Sequence, residues 1–565
     1  MKTLNEIPLL ILGLTMLFLV GCSTDDSITD EAESESRQAT EEDGLTHEAS
    51  EDYVWDDATV IDIVLNGTSI TTSDDVVTID GTTATLTAAA TYRVTGDLED
   101  GQLIVDTENN DAVQILLNGV EINNKSGSAF NIINAEKTII IVLDGTTNYL
   151  ADASYYLDSG DTESDAALYS NDDLTIYGGG TLVVQGNSNE AIKSNAGLIL
   201  KEANIEVTSI ENGIEAKDFL LVKDGSYKIS AGGDAFKSSN DAITSVGYIT
   251  IESGNFIIIS GEDGLQAESK LSIAGANLNI TSGGGSSALL GENSSKGVKG
   301  GTGVTIETGA ILNIDAADDG IHSKEQVTIN GGAIHITSGD DAIHSDENLE
   351  INDGEIVISG SVEGIEGAEI SINGGNIHVV SSDDAVNAAG DADGSNYYLY
   401  INAGYLVIDS EGDGIDVNGV LEMTDGVVIV NGPTSSGNGA IDYDRQFNIS
   451  GGFLLAVGSS GMAQAPSNSS NQNSVLVKLN SGREANTLIH LENSDGTSLF
   501  TFMPAKAFQS VVFSSPQLKT GESYNLYLGG SSSGTATDGL YNEGNYTSGS
   551  LYKEFSLSST VTTLN

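Results

Sequence analysis

Apolar and polar residues alternate in short segments through the middle of the chain, and most segments end at glycine. The run from Leu349 to Gly354 (Leu-Glu-Ile-Asn-Asp-Gly) is typical, and a second apolar segment, Ile356 to Ile358, follows it. Strict alternation predicts half-buried β-strands, and glycine adopts corner conformations that a β-carbon would forbid. The pattern therefore predicts an all-β chain of short strands joined at tight corners.

A second signal is an acidic block, Asp-Gly/Ala-Ile/Val, that recurs at nearly constant spacing. The steps from Asp319 to Asp341, Glu363 and Asp384 are 22, 22 and 21 residues, and a further copy begins at Asp413. Self-similarity at this period indicates one supersecondary unit stacked on itself. With two strands and the acidic block making three faces per turn, we expect a right-handed parallel β-helix with coils of about 22 residues.

The repeat is clear over only part of the chain, which predicts a series of segments. Two intervals, 282–295 and 390–398, break the period and are expected at coil corners. The predicted segments are a lipoprotein signal peptide (1–22), a disordered acidic tether (23–58), the β-helix (59–460, with irregular first coils and a cap over 59–167 and regular coils over 168–460), a linker (461–474) and a small antiparallel β-sandwich (475–565).

The N-terminus predicts membrane attachment. Residues 7–20 form an apolar stretch of signal-peptide length, and the sequence Leu-Val-Gly-Cys that ends at Cys22 resembles a bacterial lipobox. Cys22, the single cysteine of the chain, is then the predicted acylation site. We expect a bacterial lipoprotein on the outer membrane or cell surface that touches the membrane through its lipid alone. The alternative is an ordinary secreted protein with one stray cysteine.

Charge narrows the possible partners. The chain has 83 acidic and 21 basic residues, a formal net charge of −62. Such a field repels nucleic acid and anionic lipid, so neither is an expected partner, and it attracts cations. It also keeps a secreted protein soluble. We expect a monomer.

Stacked coils place the acidic blocks in columns at the spacing of paired strands, about 4.8 Å. Carboxylates at that distance repel unless cations lie between them, and Ca²⁺ prefers several carboxylate and carbonyl oxygens. Calcium is the predicted cofactor because these pairs stack without an intervening lysine; the alternative is a solvated corner with aspartate in turn positions. The predicted ligands are Asp318, Asp319, Asp340, Asp341, Glu363, Asp383, Asp384, Asp413 and Asp416.

Three residues after each acidic position a second column follows, and it contains His322 and His344 on successive turns. A transition-metal pair is conceivable there, but no cysteine or third histidine completes a set. A polar surface stack is the favoured interpretation.

Three stretches carry a resemblance to a known family: residues 91–96 with 113–120, the Asp-Gly/Ala-Ile coils with their Asn-Gly-Gly corners, and the tail from Phe508 to Leu528 with residues 539–541. The chain resembles bacterial cell-surface β-helix proteins known as carbohydrate-binding-domain proteins. The resemblance implies a parallel β-helix akin to pectate lyases that binds calcium, attaches to acidic or cellulose-like polysaccharide, and lacks lyase activity.

Three functional hypotheses follow. The first is a non-catalytic protein that binds polysaccharide through calcium, with aromatic platforms at Tyr397, Tyr398, Tyr400 and Tyr405. The second is a calcium-dependent polysaccharide lyase, which needs a basic side chain near the metal to abstract a proton. Lys237 is the best candidate for that base, ahead of Lys193 and Lys299. The third is an adhesin or structural spacer without sugar specificity.

Overall fold

The computed structural model describes residues 46–156, 164–243, 245–390 and 397–565. Within these ranges the chain winds into a parallel β-helix, as predicted. Each strand pairs in parallel with the equivalent strand one turn later, so that Ile321 aligns with Ile343 and Ile343 with Ile365. The predicted signal peptide, the acylation site Cys22 and residues 23–45 of the predicted tether lie outside the described residues.

Each turn visits three sheets in the same order, and some strands bend from one sheet into the next. Sheet 1 contains Lys137–Val142, Asp173–Tyr177, Gly197–Lys201, Phe219–Val222, Gly303–Ile306, Gln326–Ile329, Tyr398–Ile401, Val420–Met423 and Gln446–Ile449. Sheet 2 contains Thr147–Ala151, Thr181–Gly186, Ala203–Ser209, Gly225–Ala231, Ile311–Ala316, Ala333–Ser338, Glu355–Gly360, Asn376–Ser381, Tyr405–Ser410, Val427–Asn431 and Phe453–Gly458. Sheet 3 contains Thr83–Leu86, Gln102–Asp106, Phe130–Asn134, Ala166–Ser170, Glu190–Ser194, Ile214–Ala216, Phe236–Ser238, Leu265–Ala267, Val298–Gly300, Ile321–Ser323, Val386–Ala388, Ile415–Val417 and Asp442–Tyr443. Strands that run from sheet 1 into sheet 2 are Ile61–Gly67, Thr91–Leu98, Val113–Asn123, Tyr248–Ser260 and Lys270–Ser282, and those that run from sheet 3 into sheet 1 are Ile343–Ile351 and Ile365–Ile372.

One apolar core fills the space inside the three sheets. Inward-facing residues such as Ile321, Ile343 and Ile365 are fully buried, and their outward neighbours are polar. Tyr227 and Phe256 stack inside adjacent turns with ring centroids 4.8 Å apart. Because every turn buries the face of its neighbour, stability depends on contacts between consecutive coils.

An asparagine ladder secures the corner between sheets 1 and 2. The Asn352 amide donates to Asn330 Oδ1 at 3.0 Å, and the Asn373 amide donates to Asn352 Oδ1 at 2.9 Å. Asn402 extends the ladder by donating to Asn373 at 2.9 Å. These asparagines open the Asn-Gly-Gly corners at 330 and 373 and the related Asn-Asp-Gly and Asn-Ala-Gly corners at 352 and 402, and they connect four turns through side-chain hydrogen bonds.

The prediction of a disordered tether is wrong for residues 46–58, the part of the tether that the structure describes. This segment contains a 3-10 turn, Ser50–Tyr53, and lies against the outside of sheet 1. The Glu48 carboxylate bonds the ammonium groups of Lys201 and Lys223 at 3.0 and 2.5 Å, and Asp52 pairs with Lys137 at 2.6 Å. The segment packs because the outer face of sheet 1 is apolar in the first coils. We call residues 46–58 the strap.

The first coil carries two short antiparallel additions that form the expected cap. Ile70–Thr72 pairs with Ile61–Gly67, and Val77–Asp80 pairs with Thr83–Leu86. These pairings cover strand edges that would otherwise be open to another chain.

At the other end, the predicted linker 461–474 is not free. Ser467 and Asn471 donate backbone hydrogen bonds to Phe447 and Ile449 at 2.7 and 3.0 Å, so the segment follows the last strand of sheet 1. Strand Phe508–Ser514 then pairs antiparallel with Phe453–Gly458, which extends sheet 2 into the C-terminal module.

The C-terminal module consists of that extension and a separate antiparallel sheet, in agreement with the predicted sandwich. The extension comprises Phe508–Ser514, Ser474–Arg483 and Val561–Leu564, and the separate sheet comprises Ile489–Asn493, Ser498–Phe502, Ser523–Ser532, Thr535–Thr537, Leu540–Asn542 and Tyr546–Ser556. Their shared core includes Ile429 and Leu455, which point outward from the last coils of sheet 2. The module therefore covers the side of the β-helix as well as its end.

The two predicted insertions lie at corners. Residues 283–297 connect sheet 2 to sheet 3, and residues 389–397 connect sheet 3 to sheet 1, although 391–396 are not described. Over the part of the chain that the structure describes, no helix has the length and apolar character needed to cross a bilayer.

Candidate functional site

Two columns of polar side chains follow the corner between sheets 2 and 3. The first column lies just before each sheet 3 strand, and the second lies three residues later on the outside of sheet 3. Strand pairing confirms that the second column stacks in register. The first column contains Glu190, Asn212, Asp234, Asp263, Lys296, Asp319, Asp341, Glu363, Asp384 and Asp413. The second contains Lys193, Glu215, Lys237, Gln266, Lys299, His322, His344, Glu366, Asn387, Asp416 and Asp442.

Carboxylates of the first column have a structural task that the sequence did not reveal. Oδ1 of Asp234 accepts a hydrogen bond from the backbone N–H of Asp263, one turn later, at 2.9 Å. Asp384 does the same for the N–H of Asp413 at 2.6 Å. One oxygen of each such side chain thus ties two turns together, and the other oxygen faces the second column.

In the N-terminal half of the β-helix, the other oxygen of each first-column aspartate faces a basic side chain. Lys237 Nζ lies 2.7 Å from Asp234 Oδ2, and Lys299 Nζ lies 3.0 Å from Asp263 Oδ2. Lys193 pairs with Asp165 at 2.7 Å. These carboxylates are paired with ammonium groups of the protein, although burial and Asp263 still raise the pKa of Asp234 to about 6.

Lys296 overturns the expectation that no lysine interrupts the Asp318–Asp319 and Asp340–Asp341 pairs. Its Nζ lies 2.8 Å from Asp318 Oδ1 and 2.6 Å from Asp319 Oδ2. Lys296 belongs to the end of the insertion 283–297 and occupies the first column where an acid would otherwise stand. The Asp318–Asp319 pair is therefore already compensated.

The two histidines continue this compensation. His322 Nδ1 lies 3.0 Å from Asp319 Oδ2, and His344 Nδ1 lies 3.3 Å from Asp341 Oδ2. Burial opposes protonation of His344, but hydrogen bonds with Asp319 and Asp341 prevail and raise its pKa to about 10. The pKa of Asp319 is held far below its usual range by the same histidines and by Lys296, against the effect of burial.

Beyond His344 the second column has no further base, and the acids are left uncompensated. Burial and the neighbouring carboxylates of Asp413 and Asp416 raise the pKa of Asp384 to about 7. Burial, Asp413 and Asp442 raise the pKa of Asp416 to about 6. Asp413 itself also has a raised pKa, chiefly through burial. A raised carboxyl pKa means that the surroundings disfavour the negative charge, which is the condition that a bound cation relieves.

Asp384, Asp413 and Asp416 each place one carboxylate oxygen within 4.8 Å of the others. We call them the Asp384 cluster. The buried side chain of Asn387, which aligns with Asp416 one turn earlier, has an oxygen without a hydrogen-bond partner. A β-carbon added at Gly412 would meet Asp383 Oδ1 at 2.4 Å and Asp384 Oδ1 at 2.5 Å. Uncompensated carboxylates, a spare amide oxygen and a corner kept clear by glycine suit a hard divalent cation.

The other predicted ligands have varied surroundings. Asp318, Asp319 and Asp340 have oxygens within 4.8 Å of one another, but Lys296 lies between two of them. Asp341 groups instead with His344 and Glu366. In the described ranges, Glu363 and Asp383 belong to no such group of three, although Glu363 precedes Asp384 in the first column and Asp383 precedes it in the chain.

Comparison with known proteins assigns the family. The sequence profile of the family described as "Carbohydrate-binding domain-containing protein" matches residues 80–342 and 340–495, well over half of the chain. The chain belongs to this family. A family member from Acetivibrio thermocellus with the same description is 36% identical over 124 residues, which is 22% of this chain and 43% of that protein. The chain thus aligns with less than half the length of this relative.

Among solved structures, the chain resembles one titled "Structure of the polysaccharide lyase-like protein from C. thermocellum, Gadolinium derivative". The match has 28% sequence identity and a TM-score of 0.39, and it covers 45% of this chain and 96% of that one.

The four predicted tyrosine platforms of this family member do not form one surface. Tyr398 and Tyr400 stack on the outside of sheet 1, with ring centroids 5.7 Å apart and planes 9° apart. Tyr397 donates to the Gly390 carbonyl at 2.6 Å at the corner. Tyr405 is on sheet 2 and donates to Asp538 of the C-terminal module at 2.9 Å. Only the Tyr398–Tyr400 pair remains a candidate aromatic platform.

The predicted catalytic base, Lys237, is poorly suited to that task. Its ammonium bonds Asp234 at 2.7 Å, and although burial opposes it, that carboxylate raises the Lys237 pKa. A general base must be deprotonated at working pH, so a raised pKa works against the role. Lys193 is subject to the same effect, because Glu215, Glu190 and Asp165 raise its pKa despite burial.

Proposed function

We propose that this family member is a cell-surface lipoprotein that binds acidic polysaccharide through calcium ions and does not cleave it. The observation that carries the proposal is the Asp384 cluster, where three carboxylates converge with no basic partner among the described residues and Asn387 adds an unpaired oxygen. Asp384, Asp413, Asp416 and Asn387 are the residues that would hold the ion. Calcium would supply a positive charge shared between protein and ligand.

The net charge of −62 makes a bridging cation a physical requirement for an anionic ligand. A polyuronate and this protein repel each other unless positive charge lies between them. Family membership supports carbohydrate as the ligand class, and the accumulated acids favour an anionic carbohydrate held through metal. The Tyr398–Tyr400 pair offers an aromatic face that could contact sugar rings without charge.

The test is retention of the purified protein on immobilised polygalacturonate, with calcium and with EDTA. Wild-type protein should bind in calcium and elute in EDTA. The double variant Asp413→Asn/Asp416→Asn should lose calcium-dependent retention, whereas Asp97→Asn, an exposed charge on sheet 2, should behave as wild type. Retention that EDTA does not change would contradict the proposal and favour a spacer or adhesin.

Absence of cleavage is tested on the same ligand by ultraviolet absorbance of unsaturated uronate products. We expect no product in calcium, because Lys237 and Lys193 are both engaged with carboxylates. Product formation that is lost in Lys237→Met would establish the lyase hypothesis instead.

Membrane attachment is proposed from the lipobox-like sequence alone. Cys22 should incorporate labelled fatty acid, and Cys22→Ala should release the protein from the membrane fraction. Whole-cell protease treatment would then test display on the outer surface. Incorporation of label into Cys22→Ala would contradict the assignment of the acylation site.

A further inference from the structure

Two histidines lie one above the other on consecutive turns of sheet 3. His322 aligns with His344, and their ring centroids are 4.9 Å apart with planes 84° apart. Their side chains are 13% and 24% exposed, so both can be reached from solvent while most of each ring is covered. This pair lies apart from the Asp384 cluster in the second column and differs from it in chemistry.

The two rings are oriented by carboxylates on one side. Nδ1 of His322 faces Asp319 Oδ2 at 3.0 Å, and Nδ1 of His344 faces Asp341 Oδ2 at 3.3 Å. A carboxylate on Nδ1 fixes the orientation of the ring, and a metal ion that binds at Nε2 displaces the proton from that nitrogen.

On the other side, both Nε2 atoms approach the same carboxylate oxygen. Asp346 Oδ1 lies 3.9 Å from His322 Nε2 and 3.5 Å from His344 Nε2. Glu366 Oε2 lies 3.8 Å from His344 Nε2. Tetrahedral bonds of about 2.0 Å place neighbouring ligand atoms about 3.3 Å apart, so these side chains would have to close by about 0.2 to 0.6 Å around an ion.

We propose that His322, His344 and Asp346, with Glu366 as a further ligand, form a site for Zn²⁺ or a similar divalent transition metal. Imidazole nitrogen favours zinc over calcium, which takes oxygen ligands. The protein thus carries two kinds of cation site along one corner, a nitrogen-containing one at His322 and an all-oxygen one at the Asp384 cluster.

Asp346 is the ligand that completes the set where cysteine or a third histidine is missing. It lies at the bend where strand Ile343–Ile351 passes from sheet 3 into sheet 1. The register to the following turn shifts there, between Ser345 and Asn348. Asp346 is half-exposed, and its interactions are with the two histidines. The equivalent position one turn earlier is Lys324, so the carboxylate is specific to the turn that carries His344.

The experiment is a titration of the full-length protein with ZnCl₂ in saturating calcium, in which isothermal titration calorimetry measures the binding. Cobalt(II) absorption gives a second readout of the ligand geometry. Wild-type protein should bind one equivalent, and His322→Asn or His344→Asn should each weaken binding. Asp319→Asn, which replaces the carboxylate that faces His322 Nδ1 and also pairs with Lys296, should weaken it by about 10- to 100-fold. His335→Asn, an exposed histidine on sheet 2, is the matched control and should bind as wild type.

Thermal melts of each variant in calcium establish that it is folded. Calcium-dependent retention on polygalacturonate should survive in His322→Asn, so failure of this site and failure of the calcium proposal are separable. No zinc binding by the calcium-saturated protein, or binding that is equal in wild type and His344→Asn, would overturn the assignment. The assignment would also be overturned if Asp416→Asn were the one variant that lost zinc binding, because zinc would then occupy the all-oxygen cluster.

Discussion

Replacing Asp416 by asparagine should change stability in opposite directions with and without calcium. Asparagine fits the position, since Asn387 occupies the same place in the column one turn earlier. Without a cation, the substitution removes one of three carboxylates that repel one another. With calcium, it removes one of the ligands.

The magnitude follows from the separation of the charges. The three carboxylate oxygens lie within 4.8 Å of one another. One pair at that distance repels by about 3 kcal/mol at an effective dielectric constant of about 20, and by somewhat under about 1 kcal/mol in bulk water. For the half-buried Asp416 we take about 1–2 kcal/mol. In calcium, a tenfold loss of affinity subtracts about 1.4 kcal/mol from the stabilisation that calcium provides.

Differential scanning calorimetry in EDTA and in millimolar calcium measures both effects. In EDTA, the melting temperature of Asp416→Asn should be at least that of wild type, with an expected increase of about 1–4 °C. Adding calcium should raise the melting temperature of this variant by less than it raises that of wild type. Asp234→Asn is the matched control in the same columns. Its carboxylate is already paired with Lys237, so calcium should raise the melting temperature of this variant by as much as it raises that of wild type. The reasoning is refuted if Asp416→Asn melts below wild type in EDTA, or if calcium stabilises both equally.

Three other outcomes are expected. Asn352→Leu interrupts the asparagine ladder, leaves the Asn330 oxygen without its donor, and should lower the free energy of unfolding by about 1–3 kcal/mol in urea titrations; no change would show that the ladder is redundant. Burial raises the pKa of Glu190 to about 7. The contribution of this group to stability is therefore complete below pH 4.5, its ordinary pKa, and is lost as the pH rises through 7. Melting curves of wild type in EDTA should show this decline, and Glu190→Gln should reduce it. Glu48→Gln weakens the bonds to Lys201 and Lys223 and should speed proteolysis within the strap, whereas cleavage at wild-type rate would mean that apolar contacts alone hold it.

The fold was predictable because its signals are local and repeated. The repeated acidic block aligned His322 with His344 and, across the insertion at 390–398, Asn387 with Asp416, and strand pairing confirms both alignments. A single repeated alternation of apolar and polar positions was enough to define three sheets and the corner between them.

What the sequence did not reveal lies where the period breaks. Lys296 belongs to an insertion, so no repeat indicated that it enters the first column and neutralises Asp318 and Asp319. Asp346 lies at a shift in register, and its approach to both histidines could not be read from spacing. The strap has the composition of a disordered tether, and its order depends on an apolar face that distant coils supply.

The repeat also could not show which of the predicted ligands form the best calcium site. Sequence spacing gave Asp319, Asp341 and Asp384 equal weight as ligands. Contacts separate them. Histidines and a lysine contact the first two, whereas in the described ranges Asp384 faces carboxylates and the backbone amide of Asp413. The residue three positions later also differs between these turns, being a histidine after Asp319 and Asp341 and an asparagine after Asp384.

The most direct test of the account is a crystal structure of the protein grown in calcium. It should show an ion about 2.3–2.6 Å from oxygens of Asp384, Asp413 and Asp416, at the turn where Asn387 has its unpaired oxygen. Electron density for calcium only beside Asp318 and Asp319, or for no ion at either place, would contradict it.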